Sequence, residues 1–167
     1  MKHTLAVLVL NKPGVLARIS GLLSRRVFNI ESIAASSTEE PDITRITIVI
    51  QGDDQILDQV VKQLSKLVDI IKIQELPWGS ESIERELALI KVKACTNRRS
   101  DIVDIVNIFR ANIVDVNRET LVIELTGDEQ KINALCAVLE EHGIVEMVRT
   151  GIIAISRQPQ PIKHSIQ

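Results

Sequence analysis

An α+β fold built as two copies of one six-element unit is predicted by three features of the sequence. Apolar residues switch repeatedly between strand-like alternation and helix-like spacing. The switches come in the same order before and after residues 77–86. That stretch, Pro-Trp-Gly-Ser-Glu-Ser-Ile-Glu-Arg-Glu, breaks every periodicity and reads as a linker. A repeat constrains architecture more than any single element does.

In the first copy, Thr4–Leu10 is a Val- and Leu-rich run too short for a helix, hence a buried strand. Asn11-Lys12-Pro13-Gly14 ends it, because Pro13 cannot continue a strand. Val15, Leu16, Ile19, Leu22, Leu23 and Val27 recur at helical spacing. Ile30–Ser36 and Thr44–Ile50 are strands joined across the turn cluster at residues 38–42, and Ile46, Ile48 and Ile50 alternate onto one face. Gly52-Asp53-Asp54 offers a helix N-cap for the apolar stripe from Ile56 to Leu67, and Val68–Gln74 returns as a strand. The second copy runs as strand 87–94, helix 100–110, strands 112–116 and 120–125, a helix capped by Thr126-Gly127-Asp128 and ended by Gly143, and a last strand within 144–155. Strand–helix–strand–strand–helix–strand is the split βαβ order of a ferredoxin-like domain, a four-stranded sheet with both helices on one face. The expected organisation is therefore two ferredoxin-like βαββαβ domains in tandem: residues 1–76, a linker at 77–86 that Trp78 would anchor, residues 87–157, and a mobile tail at 158–167.

Composition narrows the function. The chain is 45% hydrophobic but only 2% aromatic, so its cores are aliphatic and it lacks the stacking platforms of single-strand nucleic-acid binders. A net charge of −2 and balanced signs in the first domain leave no basic domain; Arg25-Arg26 and Arg98-Arg99 read as solvated helix faces. Cys95 and Cys136 stand apart without a nearby His, as two buried, reduced, structural thiols. There is no signal-peptide layout and no apolar run of membrane-spanning length, so a soluble protein is expected.

Catalytic motifs are absent. His3, His142 and His164 have no Cys or Ser at a nucleophile spacing, and the acidic pairs at 39–40, 53–54 and 140–141 fall at turns and helix ends. One ligand reading survives. At the entrance to the first helix, unpaired first-turn amides and the positive dipole end lie beside Gly14, which has no side chain to block an incoming carboxylate. On these residues alone, a tight strand-to-helix connector explains Asn11–Gly14 more simply. The second copy has Thr96-Asn97-Arg98-Arg99 in the corresponding stretch, with neither Pro nor Gly, so any pocket belongs to the first copy.

Leu-Asn-Lys-Pro-Gly-Val-Leu-Ala-Arg-Ile at 10–19, followed by Arg-Arg-Val-Phe-Asn-Ile-Glu-Ser-Ile at 25–33, resembles the ACT domain, a ferredoxin-like module that binds amino acids. Phe28-Asn29-Ile30-Glu31-Ser32-Ile33, Gln-Leu-Ser-Lys-Leu-Val-Asp at 63–69 and Gly-Ile-Ile-Ala-Ile-Ser-Arg at 151–157 are similar to the small subunits of acetolactate (acetohydroxyacid) synthase, over residues 1–157. The resemblance implies a subunit with no catalytic site or cofactor of its own. Its large-subunit partner would carry thiamine diphosphate, Mg²⁺ and FAD. It further implies a homodimer through the ACT domain, activation of the large subunit, and feedback inhibition by valine or another branched-chain amino acid. Carried over, Asn11 and Gly14 would hold the effector's polar end, and Asn29 and Ile30 of the facing subunit would complete the pocket. A cytoplasmic location, or a plastid stroma, would follow. Val15 and Leu16 are assigned to the core ahead of the pocket.

Two other classes are weaker. A free-standing amino-acid-sensing transcription regulator would need a helix-turn-helix or a basic surface. A small ferredoxin-like phosphatase would need an anion-cradling loop. Asn11 and Arg18 are available for one, but Pro13 removes a loop N–H donor.

Overall fold

The computed structural model describes residues 1–25, 28–77 and 79–162. The predicted end of the first helix at Val27, the Arg25-Arg26 pair, the Trp78 anchor and the last residues of the tail, His164 included, lie partly or wholly outside the described residues. The chain forms two compact units, Met1–Ile83 with Ile152–Gln167, and Glu84–Gly151.

The first unit runs β1 (Lys2–Leu10), α1 (Val15–Arg25), β2 (Asn29–Ser37), β3 (Ile43–Gln51), α2 (Asp54–Leu64) and β4 (Ile70–Leu76). Its antiparallel sheet has the order β2-β3-β1-β4. Leu5, Val7 and Val9 of β1 and Ile46, Ile48 and Ile50 of β3 form one aliphatic face. Val15, Ile19 and Leu23 of α1 and Leu57, Val60 and Leu64 of α2 close over it. Each such side chain contributes about 1.5–3 kcal/mol on burial, so the near absence of aromatics is no handicap. The predicted cap of α2 is present: the Asp53 carboxylate accepts from Ile56 N at 2.9 Å.

β1 does not alternate, because Thr4, Ala6 and Leu8 are buried as well. The cover comes from the end of the chain. The predicted last strand is two strands, β8 (Ile144–Arg149) and β9 (Ile153–Ser156), parted at Gly151, whose φ is +83°. β8 serves the second unit, whereas β9 belongs to the first, where Ala154 packs with Ala6 and Leu76. Arg45 Nη2 donates to Ala154 O at 2.6 Å and Ile152 N donates to Ser32 Oγ at 2.9 Å. The run of apolar residues in β1 thus reflects burial on two faces. The boundary expected at 87–157 shifts for the same reason: hydrophobic patterning tells that a segment is a strand, but not which sheet it covers. A chain ending at Gly151 is expected to lose about 3 kcal/mol from the first unit, since Ile152 and Ala154 leave their buried sites. Urea unfolding of the truncated chain measures this.

The second unit contains most of β5 (Ser82–Lys93), then α3 (Arg99–Ile108), β6 (Asn112–Val116), β7 (Thr120–Gly127), α4 (Glu129–Leu139), a 3₁₀ turn at Glu140–His142, and β8, with strand order β6-β7-β5-β8. β5 starts within the predicted linker. Its first residues lack an apolar period, but Ser82 Oγ is held by Pro77 O at 2.7 Å and β9 pairs with β5, so backbone pairing supplies what the sequence pattern lacks. Ala88, Ile90 and Val92 with Leu121, Ile123 and Leu125 face Ile102, Val106, Ile132, Leu135 and Leu139. Asp128 caps α4 by accepting from Lys131 N at 2.8 Å, and Gly143, at φ +88°, ends the helical stretch. The six-element repeat is therefore present twice, with a ninth strand added.

Candidate functional site

The turn between β1 and α1 is tied down from three sides. Asn11 N donates to Asp42 O at 2.8 Å, and Asn11 Nδ2 donates to Pro41 O at 3.3 Å, so Asn11 fastens the end of β1 to the β2–β3 turn. Leu10 N donates to Asp69 O at 2.9 Å. Lys12 N closes back on Leu10 O at 2.8 Å. Gly14 sits at φ +81°, in the left-handed region, where a side chain costs about 1 kcal/mol. Its carbonyl accepts from Arg18 N at 3.0 Å, which starts α1.

α1 differs from the other helices at this end. Asp54, Asp101 and Glu129 occupy the first turns of α2, α3 and α4, whereas α1 has no acidic residue there. Its first-turn amides, those of Leu16 and Ala17 included, lack intrahelical acceptors, and no carboxylate of its own offsets the positive end. Val15 is buried in the core as expected; Leu16, assigned there too, is 48% exposed and flanks the turn.

Arg18 was available to an anion in the phosphatase reading, but the structure commits it elsewhere. Its Nε and Nη2 both reach Asp69 Oδ2, at 3.0 and 2.6 Å, and Asp69 is buried. This pair, which spans α1 and the start of β4, has no local signal in the sequence. A Cβ placed on Gly14 would lie 3.3 Å from Arg18 Nη1, so the guanidinium borders the turn.

Asn29 and Ile30 begin β2, at the far end of the sheet. Asn29 pairs with Gln51 and donates to its Oε1 at 3.2 Å, while Ile30 pairs with Ile50 and packs against the core. Gln51 lies opposite Lys2, whereas Asn11 follows Leu10. The two predicted halves of the site are thus separated by the length of β1, about 27 Å at the usual rise per residue. One chain does not bring them together. Ser32 follows a β-bulge in β2, and β2 is an edge strand of the sheet.

The remaining reactive groups are differently placed from expectation. Cys95 is exposed rather than buried, and Cys136 is partly buried, where desolvation pushes its thiol pKa up and Arg149 partly offsets it. His3 is buried in β1, with Nδ1 3.0 Å from Glu75 Oε1 and Nε2 3.9 Å from Asp54 Oδ1. Among the described residues, no three His, Cys, Asp or Glu side chains cluster as metal ligands, and no helix is long and apolar enough to cross a membrane.

The second unit repeats the strand-end backbone bonds of the turn but neither its chemistry nor the left-handed backbone of Gly14, since Asn97 has no positive φ. Lys93 N donates to Gly143 O at 3.0 Å and Ala94 N to Glu119 O at 2.7 Å, matching Leu10 N to Asp69 O and Asn11 N to Asp42 O. The counterpart of Asn11–Gly14 is therefore Ala94–Asn97, two residues earlier than sequence spacing suggests. It too lacks Pro and Gly.

Known proteins share both units. Residues 5–72 match the family model of the AHAS small subunit-like ACT domain, and residues 85–158 match that of the small subunit of acetolactate synthase. The probable acetolactate synthase small subunit of Archaeoglobus fulgidus is 53% identical over 157 residues, covering 94% of this chain and 98% of that protein. The acetolactate synthase small subunit of Mycolicibacterium smegmatis is 51% identical over 160 residues, covering 96% of this chain and 94% of that protein. The crystal structure of the acetolactate synthase small subunit from Thermotoga maritima superposes with a TM-score of 0.89 at 40% identity, covering 95% of this chain and 98% of that one. Two ferredoxin-like units and full-length similarity of this order place the chain in the acetolactate synthase small-subunit family.

Proposed function

We propose that this chain is the regulatory subunit of a branched-chain amino acid biosynthetic enzyme, and that its first unit senses valine or a related branched-chain amino acid. The observation that carries the sensing role is the α1 entrance. Gly14 leaves it unobstructed, no acidic side chain occupies its first turn, and Asn11 and exposed Leu16 border it. An amino acid's carboxylate suits the amides, its ammonium suits nearby carbonyl and amide oxygens, and an aliphatic side chain suits Leu16.

The separation of Asn11 and Gly14 from Asn29 and Ile30 supports a two-fold dimer. A two-fold axis beside edge strand β2 reverses the direction of the sheet, so the Asn29 end of one chain meets the Gly14 end of the other. Two equivalent sites then form, each with residues from both subunits. The large, catalytic subunit would hold thiamine diphosphate, Mg²⁺ and FAD; this chain would raise its activity and make it sensitive to the effector, in the cytoplasm. Control follows if the effector binds one arrangement of the holoenzyme more tightly than another.

Isothermal titration of valine into the purified chain tests this reading. Saturable binding is expected, with Asn11→Ala weakening it at least about tenfold, equivalent to ~1.4 kcal/mol. Sedimentation should report a dimer. Binding unaffected by Asn11→Ala would place the site elsewhere.

A further inference from the structure

The second unit keeps the strand-end backbone bonds of the first unit's turn, and its own side chain is already in it. Arg98-Arg99 reads from sequence as a solvated helix face, yet Arg99 Nη2 donates to Asn117 O at 2.7 Å, Arg118 O at 3.1 Å and Ala94 O at 3.3 Å. These are the carbonyls at the end of β5 and in the β6–β7 turn. By the matched backbone bonds, Ala94 stands where Asn11 stands, Arg118 where Pro41 stands, and Arg99 where exposed Leu16 stands. In the first unit the link between strand end and hairpin turn is made by the Asn11 amide on Pro41 O. In the second unit Ala94 has no side chain to make it, and a guanidinium from the first turn of α3 reaches back instead.

The surroundings suit a cation held permanently. Arg99 Nε is buried without a hydrogen-bond partner, so the group is inserted into the turn rather than lying across its surface. Nη2 has two hydrogens for three carbonyls, a convergence of acceptors that a charged donor strengthens. The neighbouring Arg98 Nη1 donates to Glu141 O at 3.4 Å, so a second cation also faces backbone carbonyls beside the same helix entrance. Asp101 in the first turn of α3 supplies the acidic residue that α1 lacks.

We infer that Arg99 is a built-in occupant of the second unit's version of the effector turn, latching β5 to the β6–β7 turn and leaving that unit without an amino-acid site. The latch stands on the Arg99 geometry; the claim that effector binding is confined to the first unit rests on the reading proposed above. One amino acid per chain is the consequence.

Amide hydrogen exchange on the full chain separates these claims. Arg99→Leu restores the residue type that the first unit carries. It is expected to speed exchange at least tenfold at Ala94 N and Asn117 N, which donate to Glu119 O and Thr120 O, while Asn11 N is unchanged. Arg99→Ala should do the same, and guanidinium chloride at tens of millimolar should slow exchange again where equimolar sodium chloride does not. Valine added to the wild-type chain should leave Ala94 and Asn117 untouched. Unchanged exchange in both variants would overturn the latch, and valine protection of Ala94 or Asn117 in the wild type would overturn the absence of a second site. If valine protects neither unit while the Arg99 variants behave as stated, the latch is upheld and the proposed effector reading fails. Should Arg99→Leu not fold, Arg99→Lys, which keeps the charge but loses the planar fork, is expected to show an intermediate rate.

Discussion

Gly14→Asp is expected to abolish feedback inhibition while the subunit still activates its catalytic partner. At φ +81° an Asp is strained by about 1 kcal/mol, but Asp enters the left-handed region more readily than most residues, so the turn should hold. The new carboxylate would then sit at the α1 entrance, where the amides and the positive dipole end favour it, with its Cβ 3.3 Å from Arg18 Nη1. An incoming effector carboxylate would meet a like charge in an already occupied place. The half-inhibitory valine concentration of the reconstituted holoenzyme should rise at least about 50-fold, some 2.3 kcal/mol. Gly14→Ala carries the backbone strain without the charge and should give a markedly smaller shift. Full valine sensitivity of Gly14→Asp would remove the α1 entrance from the site; equal effects of the two variants would assign the loss to strain.

Arg149→Ala is expected to cause a large loss of stability in the second unit. Arg149 Nε donates to Glu86 Oε1 at 2.9 Å, Nη2 donates to Glu86 Oε2, and Nη1 donates to Asn133 Oδ1 at 3.2 Å, joining β8 to β5 and α4. Its hydrogen bond to Glu86 is the chief cause that raises the guanidinium pKa, against the opposing effect of desolvation. Glu86 is only 5% exposed, so truncating Arg149 strands a carboxylate without a counter-charge, at a cost of about 3–5 kcal/mol. Replacing both residues, Glu86→Leu with Arg149→Met, should recover most of the loss. Thermal unfolding reads both variants. A loss under 1 kcal/mol for Arg149→Ala would mean that water solvates Glu86 once the guanidinium is gone.

Much of the molecule was legible from residue order because the deciding forces are local. Helix-like spacing marks α1 to α4, and alternation or short apolar runs bounded by turn residues mark β1 to β4, the later part of β5, β6 and β7; Asp53 and Asp128 cap their helices with their own carboxylates; Pro13 and Gly14 end one strand and start one helix. The aliphatic composition sufficed to predict two cores. The ACT-like turn at Asn11–Gly14 was legible as a motif, since Pro13 cannot continue a strand and Gly14 has no side chain.

Tertiary structure decided what depends on residues far apart in the chain. Ile144–Ile155 looks like one strand, yet β8 and β9 serve different units, because an apolar strand does not state which sheet it will cover. Arg18 looks like a cation available to an anion and Arg99 like part of a solvated helix face; the first is bound to buried Asp69 and the second to three carbonyls, since charge in sequence says nothing of the acceptor that folding brings to it. Asn29 and Ile30 lie a strand's length from Asn11 and Gly14, so a shared pocket requires a second chain, and no single sequence contains that geometry. The residues set the elements and the chemistry at each turn, while long-range packing chose their partners: local conformational energy acts within a few bonds, whereas burial and charge pairing act between surfaces that exist only after the chain has folded.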